Sequence, residues 1–284
     1  MAAYAAMFGL GLTVLLLGLI YLALAAMPGQ APEGLDPLPI GLGLVVGGIC
    51  CWLALLPPVR RAVAHVIPLR AESPVNAVAL ALLVLLWAQS ISLSGLGPEG
   101  FLDLAGPVTV GQVLLSELPL AVIALAGIGY LTRRGGAEAW ARLGLGKITW
   151  RQALLGVAGV AGLIGFQAAT SAVASRLAPQ AYDELSRASV QLYGGISTPL
   201  AAAIVALASG TAEEILFRGA LQPRFGLLLT ALTFGVIHLQ YGTGWSLLNV
   251  GAIGLVLGLY RQRINTTSCI LVHGLYNLAV FLLP

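Results

Sequence analysis

The stretch PLAAAIVALASGTAEEILFRGALQ, residues 199–222, runs from a proline through a nearly uniform apolar segment into Glu213, Glu214 and Arg218. Its first half has the composition of a helix made for lipid. Its second half carries what such a helix avoids, because a charge in hydrocarbon is costly unless it finds a partner or gives up its charge. The solvent around this stretch therefore decides the fold and the meaning of its charges.

Of the 284 residues, 58% are hydrophobic and only 9% charged, and the mean hydropathy is +0.94. A soluble domain carries about 25% charged residues, so the chain reads as an integral membrane protein. Crossing the hydrocarbon takes roughly 20 apolar residues per helix, and the sequence offers about nine such stretches. They fall at residues 4–27, 38–56, 75–96, 108–131, 148–174, 199–217, 225–241, 245–260 and 266–283. The period-2 alternation of an outer-membrane barrel is absent. The expected fold is therefore all-α, a polytopic transmembrane helix bundle with an intramembrane polar cavity.

Positive residues favour the cytoplasmic side of a membrane. All but Arg176 and Arg187 of the 14 lysines and arginines fall in connections on one side of a nine-span arrangement, while Glu33, Asp36, Glu99 and Asp103 lie on the other. This places the N-terminus in the cytoplasm. Span one has a second reading as a signal peptide, with Ala23-Leu24-Ala25 as the cleavage site, but its apolar run exceeds the usual signal core and residues 1–3 carry no side-chain charge. The net charge of +3 comes from the connections and points to no nucleic-acid partner. Cys50, Cys51 and Cys269 all sit in spans, as small apolar filler rather than a disulfide framework.

The chain divides into residues 1–198, with N-terminal helices, an interfacial segment and an outer loop, and residues 199–284, where intramembrane polar groups concentrate. The connection from Thr132 to Arg151, around AEAWARLGLGKITW (residues 137–150), reads as an interfacial segment lying at the membrane surface, and residues 175–198 as a solvated outer loop. No internal repeat is visible.

Glu214 and Arg218 are four residues apart, about 40° round a helix, and can pair. Glu213 then faces elsewhere. Span seven offers Phe234 and His238 with the same spacing, and span nine His273 and Asn277. Of the three histidines, His65 sits in a basic connection and the other two in apolar spans. Polar groups in lipid gather to satisfy one another, and this gathering has the composition of a hydrolase site: a carboxylate to take a proton from water, a histidine to share it, donors for an oxyanion. Spacing alone does not rank Glu213 above Glu214. Glu117 in span four and Asn249 in span eight are left out of the set, since helix packing accounts for either equally well.

The ordered motifs EExxxR (Glu213, Glu214, Arg218), FxxxH (Phe234, His238) and HxxxN (His273, Asn277) resemble the signature of the CAAX prenyl protease and bacteriocin-processing family, the type II CAAX endopeptidases. The resemblance covers about residues 199–284 and implies an intramembrane endopeptidase of the glutamate type. It implies Glu213 as the base activating water with help from His238, His273 and Asn277 as oxyanion donors, and Glu214 and Arg218 as groups that orient the site. It implies no cofactor and no required metal; the HExxH spacing of a zinc peptidase is absent. A Cys269–His273 nucleophilic pair has no support in the sequence. The implied partner is a peptide or protein substrate, either lipidated near its C-terminus or a secreted peptide under maturation, in a bacterial inner membrane. Two rival readings remain: a non-enzymatic immunity or scaffold protein of the same fold, and a proton-coupled transporter.

The motifs also set a depth problem. At 1.5 Å per residue, His238 would lie about 18 Å into span seven, and Glu213 only about 8 Å from Arg218. Level placement requires a buried Arg218 and a broken connection over residues 219–225, using Gly219, Pro223 and Gly226.

Overall fold

The structure is a computed structural model. It describes residues 2–27, 29–31, 35–239 and 245–283. Glu33 and the expected end of span seven at Tyr241 lie outside these.

The described residues are helical with no extended strand. The helices are α1 (Ala2–Ala25), α2 (Pro37–Leu55), α3 (Pro57–Ala64), α4 (Pro74–Ser94), α5 (Gly97–Ala105), α6 (Val110–Ile128), α7 (Gly136–Leu143), α8 (Trp150–Leu177) and α9 (Pro179–Leu192). They continue with α10 (Pro199–Glu214), a π-helical segment (Ile215–Leu221), α11 (Gln222–Val236), α12 (Trp245–Arg263) and α13 (Thr266–Leu282). Most begin where chemistry says they should. Asp36, Ser73, Thr109, Thr149, Thr198 and Asn265 each accept a hydrogen bond from the first turn of the helix they precede.

Among the described residues, six helical stretches are long and apolar enough to cross a membrane, not nine: α1, α2, α4, α6, α8 and the continuous run Pro199–Val236. Expected spans six and seven are that one run, because the chain stays helical through the π segment and leaves helical geometry only at Gly226 (φ 78°, ψ 173°). That positive φ needs a glycine. The expected break is thus real but narrow, and Gly219 lies within the helix instead of a loop. Expected span eight, α12, falls short in apolarity, with Ser246 and Asn249 near one end and three polar residues, Arg261 to Arg263, at the other. Expected span nine, α13, has 17 residues.

The chain forms two compact units, Met1–Leu104 with Gly235–Leu247, and Ala105–Phe234 with Leu248–Pro284. They differ from the expected division at residue 198, since α6 to α9 pack with the C-terminal helices. In the first unit α2 lies between α1 and α4. Glycines make that possible: a Cβ on Gly18 would stand 2.6 Å from the Val45 nitrogen, and one on Gly48 2.7 Å from the Gly11 carbonyl. Close backbone approach of this kind is how helices associate in lipid. Arg60 is buried and caps the end of α2 through the Ala54 carbonyl at 3.3 Å and the Leu55 carbonyl, while Ala71 accepts from its Nε at 2.7 Å.

In the second unit α10 packs between α13 and α6, and α8 covers another side of α13. A Cβ on Gly210 would lie 2.9 Å from the Gly274 nitrogen, so α10 and α13 approach almost backbone to backbone. The expected interfacial segment is the short helix α7, which buries Ala139 and Leu143 against Ile128 and leaves Trp140 57% exposed. The expected outer loop is largely α9. It is tied in by the Val108 N–H donating to Leu192 at 2.7 Å and by Tyr193 set edge-on to Phe281.

Candidate active site

Glu213 and Glu214 are the last two residues of α10, and the π segment begins with the next one. A π turn inserts an extra residue per turn and rotates the side chains that follow; such turns recur at functional sites. Here it brings Arg218 back under Glu214. Both are 0% exposed, with Arg218 Nε 3.1 Å from Glu214 Oε2. The distance is that of an ion pair, but the N–H is not aligned for a hydrogen bond, so attraction of charge holds the two together. The guanidinium carbon also stands 4.7 Å from the Phe234 ring centroid and 5.8 Å from that of Phe217. A buried cation without water is tolerable only with such compensation.

The other oxygen of Glu214 is also taken. His273 Nδ1 lies 2.9 Å from Glu214 Oε1. A carboxylate only accepts, so Nδ1–H is the donor, which fixes the tautomer and leaves Nε2 for another partner. The ring is steadied from the side by Phe234, edge-on at 5.7 Å. Phe234 thus touches Arg218, Phe217 and His273 together.

One turn further along α13, Asn277 Nδ2 donates to Ser209 Oγ at 3.0 Å, and Ser209 Oγ donates to the Val205 carbonyl at 2.9 Å. Ser209, which the sequence reading did not single out, precedes Glu213 by one helical turn, and that i,i+4 spacing is the signal that could have found it. Glu213 itself is 7% exposed. On α6, Glu117 has Glu213 and His273 among the charges that act on it, and its Oε2 is buried with no hydrogen-bond partner among the described residues. The sequence reading set Glu117 aside; the fold brings its helix against α10 and the π segment. Asn249, also set aside, accepts from Thr170 Oγ1 at 2.6 Å, a packing hydrogen bond between α12 and α8. Cys269 donates to the Leu257 carbonyl at 3.1 Å and is buried, unlike an attacking thiol.

The second unit thus gathers Glu213, Glu214, Arg218, His273 and Asn277 from α10, the π segment and α13. His238 stands apart from the expected helical pattern. α11 ends at Val236, and His238 lies in the following turn, its N–H donating to Gly235 at 3.1 Å, within the segment assigned to the first unit. Within the second unit, no three His, Cys, Asp or Glu side chains among the described residues are arranged to hold a metal ion.

Residues 195–279 match the family model of the Type II CAAX prenyl endopeptidases, Rce1-like. The match takes in α10, the π segment, α11, α12 and most of α13, and it bears out the resemblance carried by the three motifs. No curated protein and no solved structure matches the chain. An Rce1-like region points to peptidase activity, and with six apolar helices the chain is an integral membrane protein.

Proposed function

We propose that this protein is an intramembrane endopeptidase of the glutamate type, with Glu213 as the base that activates the attacking water. The observation that carries the choice is the double engagement of Glu214, whose oxygens face Arg218 and His273. A carboxylate with both oxygens so occupied is held as a positioning group, and we assign the base to its neighbour.

In this reading Glu213 takes a proton from water as the oxygen attacks the peptide carbonyl. His273, aligned through Nδ1, donates from Nε2–H to the developing oxyanion, and Asn277 donates beside it. The imidazolium this needs is stabilised by Glu214. The peptide C–N bond then breaks, and the leaving amine takes up the proton held by Glu213. His238 enters by the motif alone, as the residue that shares that proton. The family match favours a CAAX-type substrate, a peptide cut near a lipidated C-terminus, with maturation of a secreted peptide as the other substrate class. The positive-inside pattern supports a cytoplasmic N-terminus, and the compact chain with short connections fits a bacterial inner membrane.

The test is cleavage of fluorogenic farnesylated CAAX peptides and a general peptide library by the purified full chain, wild type beside Glu213→Gln, with and without a chelator. Cleavage lost in Glu213→Gln and kept under chelation is expected. Chelator-sensitive cleavage, or full activity in Glu213→Gln, overturns the mechanism.

A further inference from the structure

Beneath the π segment the second unit gathers arginines from different parts of the chain: Arg134 after α6, Arg142 on α7, Arg224 at the start of α11 and Arg261 near the end of α12. Two of them grip consecutive carbonyls of the π segment. Arg261 Nε donates to the Arg218 carbonyl at 3.1 Å, and Arg142 Nη1 donates to the Gly219 carbonyl at 2.9 Å. Arg134 Nη1 donates to the carbonyl of Ile128, the last residue of α6. The Arg261 guanidinium also lies flat against Gly144, where a Cβ would collide with it. Arg134 meets the C-terminus of α6 and Arg261 that of α7 at Gly144, and a helix C-terminus favours a cation.

Capping accounts for one donor of each. A guanidinium carries five N–H donors, and none of the four arginines pairs with a carboxylate among the described residues. Two other arginines do face carboxylates, Arg61 with Glu72 and Arg218 with Glu214. The nearest acid in sequence, Glu138, spends Oε2 on the Gly135 N–H at 3.2 Å. Arg224 makes no hydrogen bond among the described residues, so capping does not explain it there. The cluster holds together against its own repulsion: burial first, then the charges of Arg224, Arg134 and Arg261, push the Arg142 guanidinium below its ordinary pKa.

The surroundings indicate which anion belongs there. The cluster sits at the end of α6, a helix of spanning length, where the π segment packs against α6 and α7, with Trp140 57% and Trp150 68% exposed on the flanking segments. Exposed tryptophans beside the ends of apolar helices mark the headgroup level of a bilayer, and basic pockets at that level take phospholipid phosphates.

We propose that Arg134, Arg142, Arg224 and Arg261 form a binding site for the phosphate of an anionic phospholipid. A bound phosphate offsets the repulsion and steadies the arginines that hold the carbonyls of Arg218 and Gly219. The site does not depend on the peptidase reading.

The experiment is native mass spectrometry of the purified full chain titrated with phosphatidylglycerol or phosphatidylcholine, with inorganic phosphate as a competitor, and melting temperature recorded for each mixture. Wild type is expected to retain phosphatidylglycerol about tenfold more tightly than phosphatidylcholine and to melt higher with it. Arg224→Gln, which removes a charge and no hydrogen bond among the described residues, is expected to lose most of that preference while melting normally in phosphatidylcholine. Arg133→Gln, outside the cluster, is expected to keep it. Equal retention of the two lipids by wild type, an unchanged preference in Arg224→Gln, or displacement by millimolar inorganic phosphate, the mark of a free-anion site, each overturns the proposal.

Discussion

Glu214 and His273 lie 59 residues apart in the chain and meet at 2.9 Å in the interior of the second unit. Because Glu214 also faces the Arg218 guanidinium, one carboxylate holds a cation on its own helical run and an imidazole on α13. Replacing it by Gln leaves Arg218 buried with no counter-charge, a change that costs about 3–5 kcal/mol. Glu214→Gln is expected to lower the melting temperature sharply, and Glu214→Met with Arg218→Met to recover much of the loss. Equal destabilisation by the single and double changes would show that the pair contributes through something other than charge.

Glu213→Gln is expected to behave differently. The carboxylate 3.1 Å from the buried Arg218 Nε is that of Glu214, so Glu213→Gln should fold with a near-normal melting temperature while cleavage falls by about 10²–10⁴, the usual contribution of a positioned base. Parallel melting curves and turnover for Glu213→Gln and Glu214→Gln separate the two roles. Loss of turnover without loss of stability in Glu214→Gln, and the reverse in Glu213→Gln, would exchange the assignments.

Composition and spacing made the helical class, the membrane setting and the Glu214–Arg218 pair legible, because lipid restricts helix composition and an i,i+4 pair is a local relation. The meeting of Glu214 with His273 depended on the three motifs, since nothing local joins residues on different helices. The π segment was not legible: Ile215–Leu221 contains no proline, and tertiary packing against α6, α7 and α13 sustains the turn. Expected spans six and seven were counted apart for a related reason. Charges at 213, 214 and 218 look like a helix end only if they are assumed to seek water, whereas Glu214 and Arg218 are satisfied inside. Ser209 and Glu117 were readable as residues but not as neighbours of the cluster.

The Gly210–Gly274 contact gives a stability prediction independent of any chemistry. A Cβ at Gly210 would sit 2.9 Å from the Gly274 nitrogen, and backbone cannot swing aside as a side chain does. Gly210→Ala is expected to force α10 from α13 and cost about 1–3 kcal/mol. Gly251→Ala is the matched control, since a Cβ there meets nothing within 4 Å. Chemical denaturation in detergent reads both; tolerance at Gly210 would mean that the two helices have room to separate.

Phe234 separates packing from positioning. Its ring faces the Arg218 guanidinium at 4.7 Å and sets His273 edge-on at 5.7 Å, so it bears on both partners of Glu214. Phe234→Leu keeps most of the apolar volume, which limits the packing cost to below about 1.5 kcal/mol, and removes a cation–π contact of about 0.5–2 kcal/mol. The His273 ring loses its lateral support at the same time. Turnover is therefore expected to fall further than stability, with kcat affected more than KM, because a loosened His273 still binds substrate but presents Nε2 less often to the oxyanion. Phe217→Leu, whose ring is 5.8 Å from the Arg218 guanidinium carbon and makes no ring contact with His273 among the described residues, should share the loss of stability without the loss of kcat. Similar kcat values for the two variants would remove Phe234 from any role beyond packing.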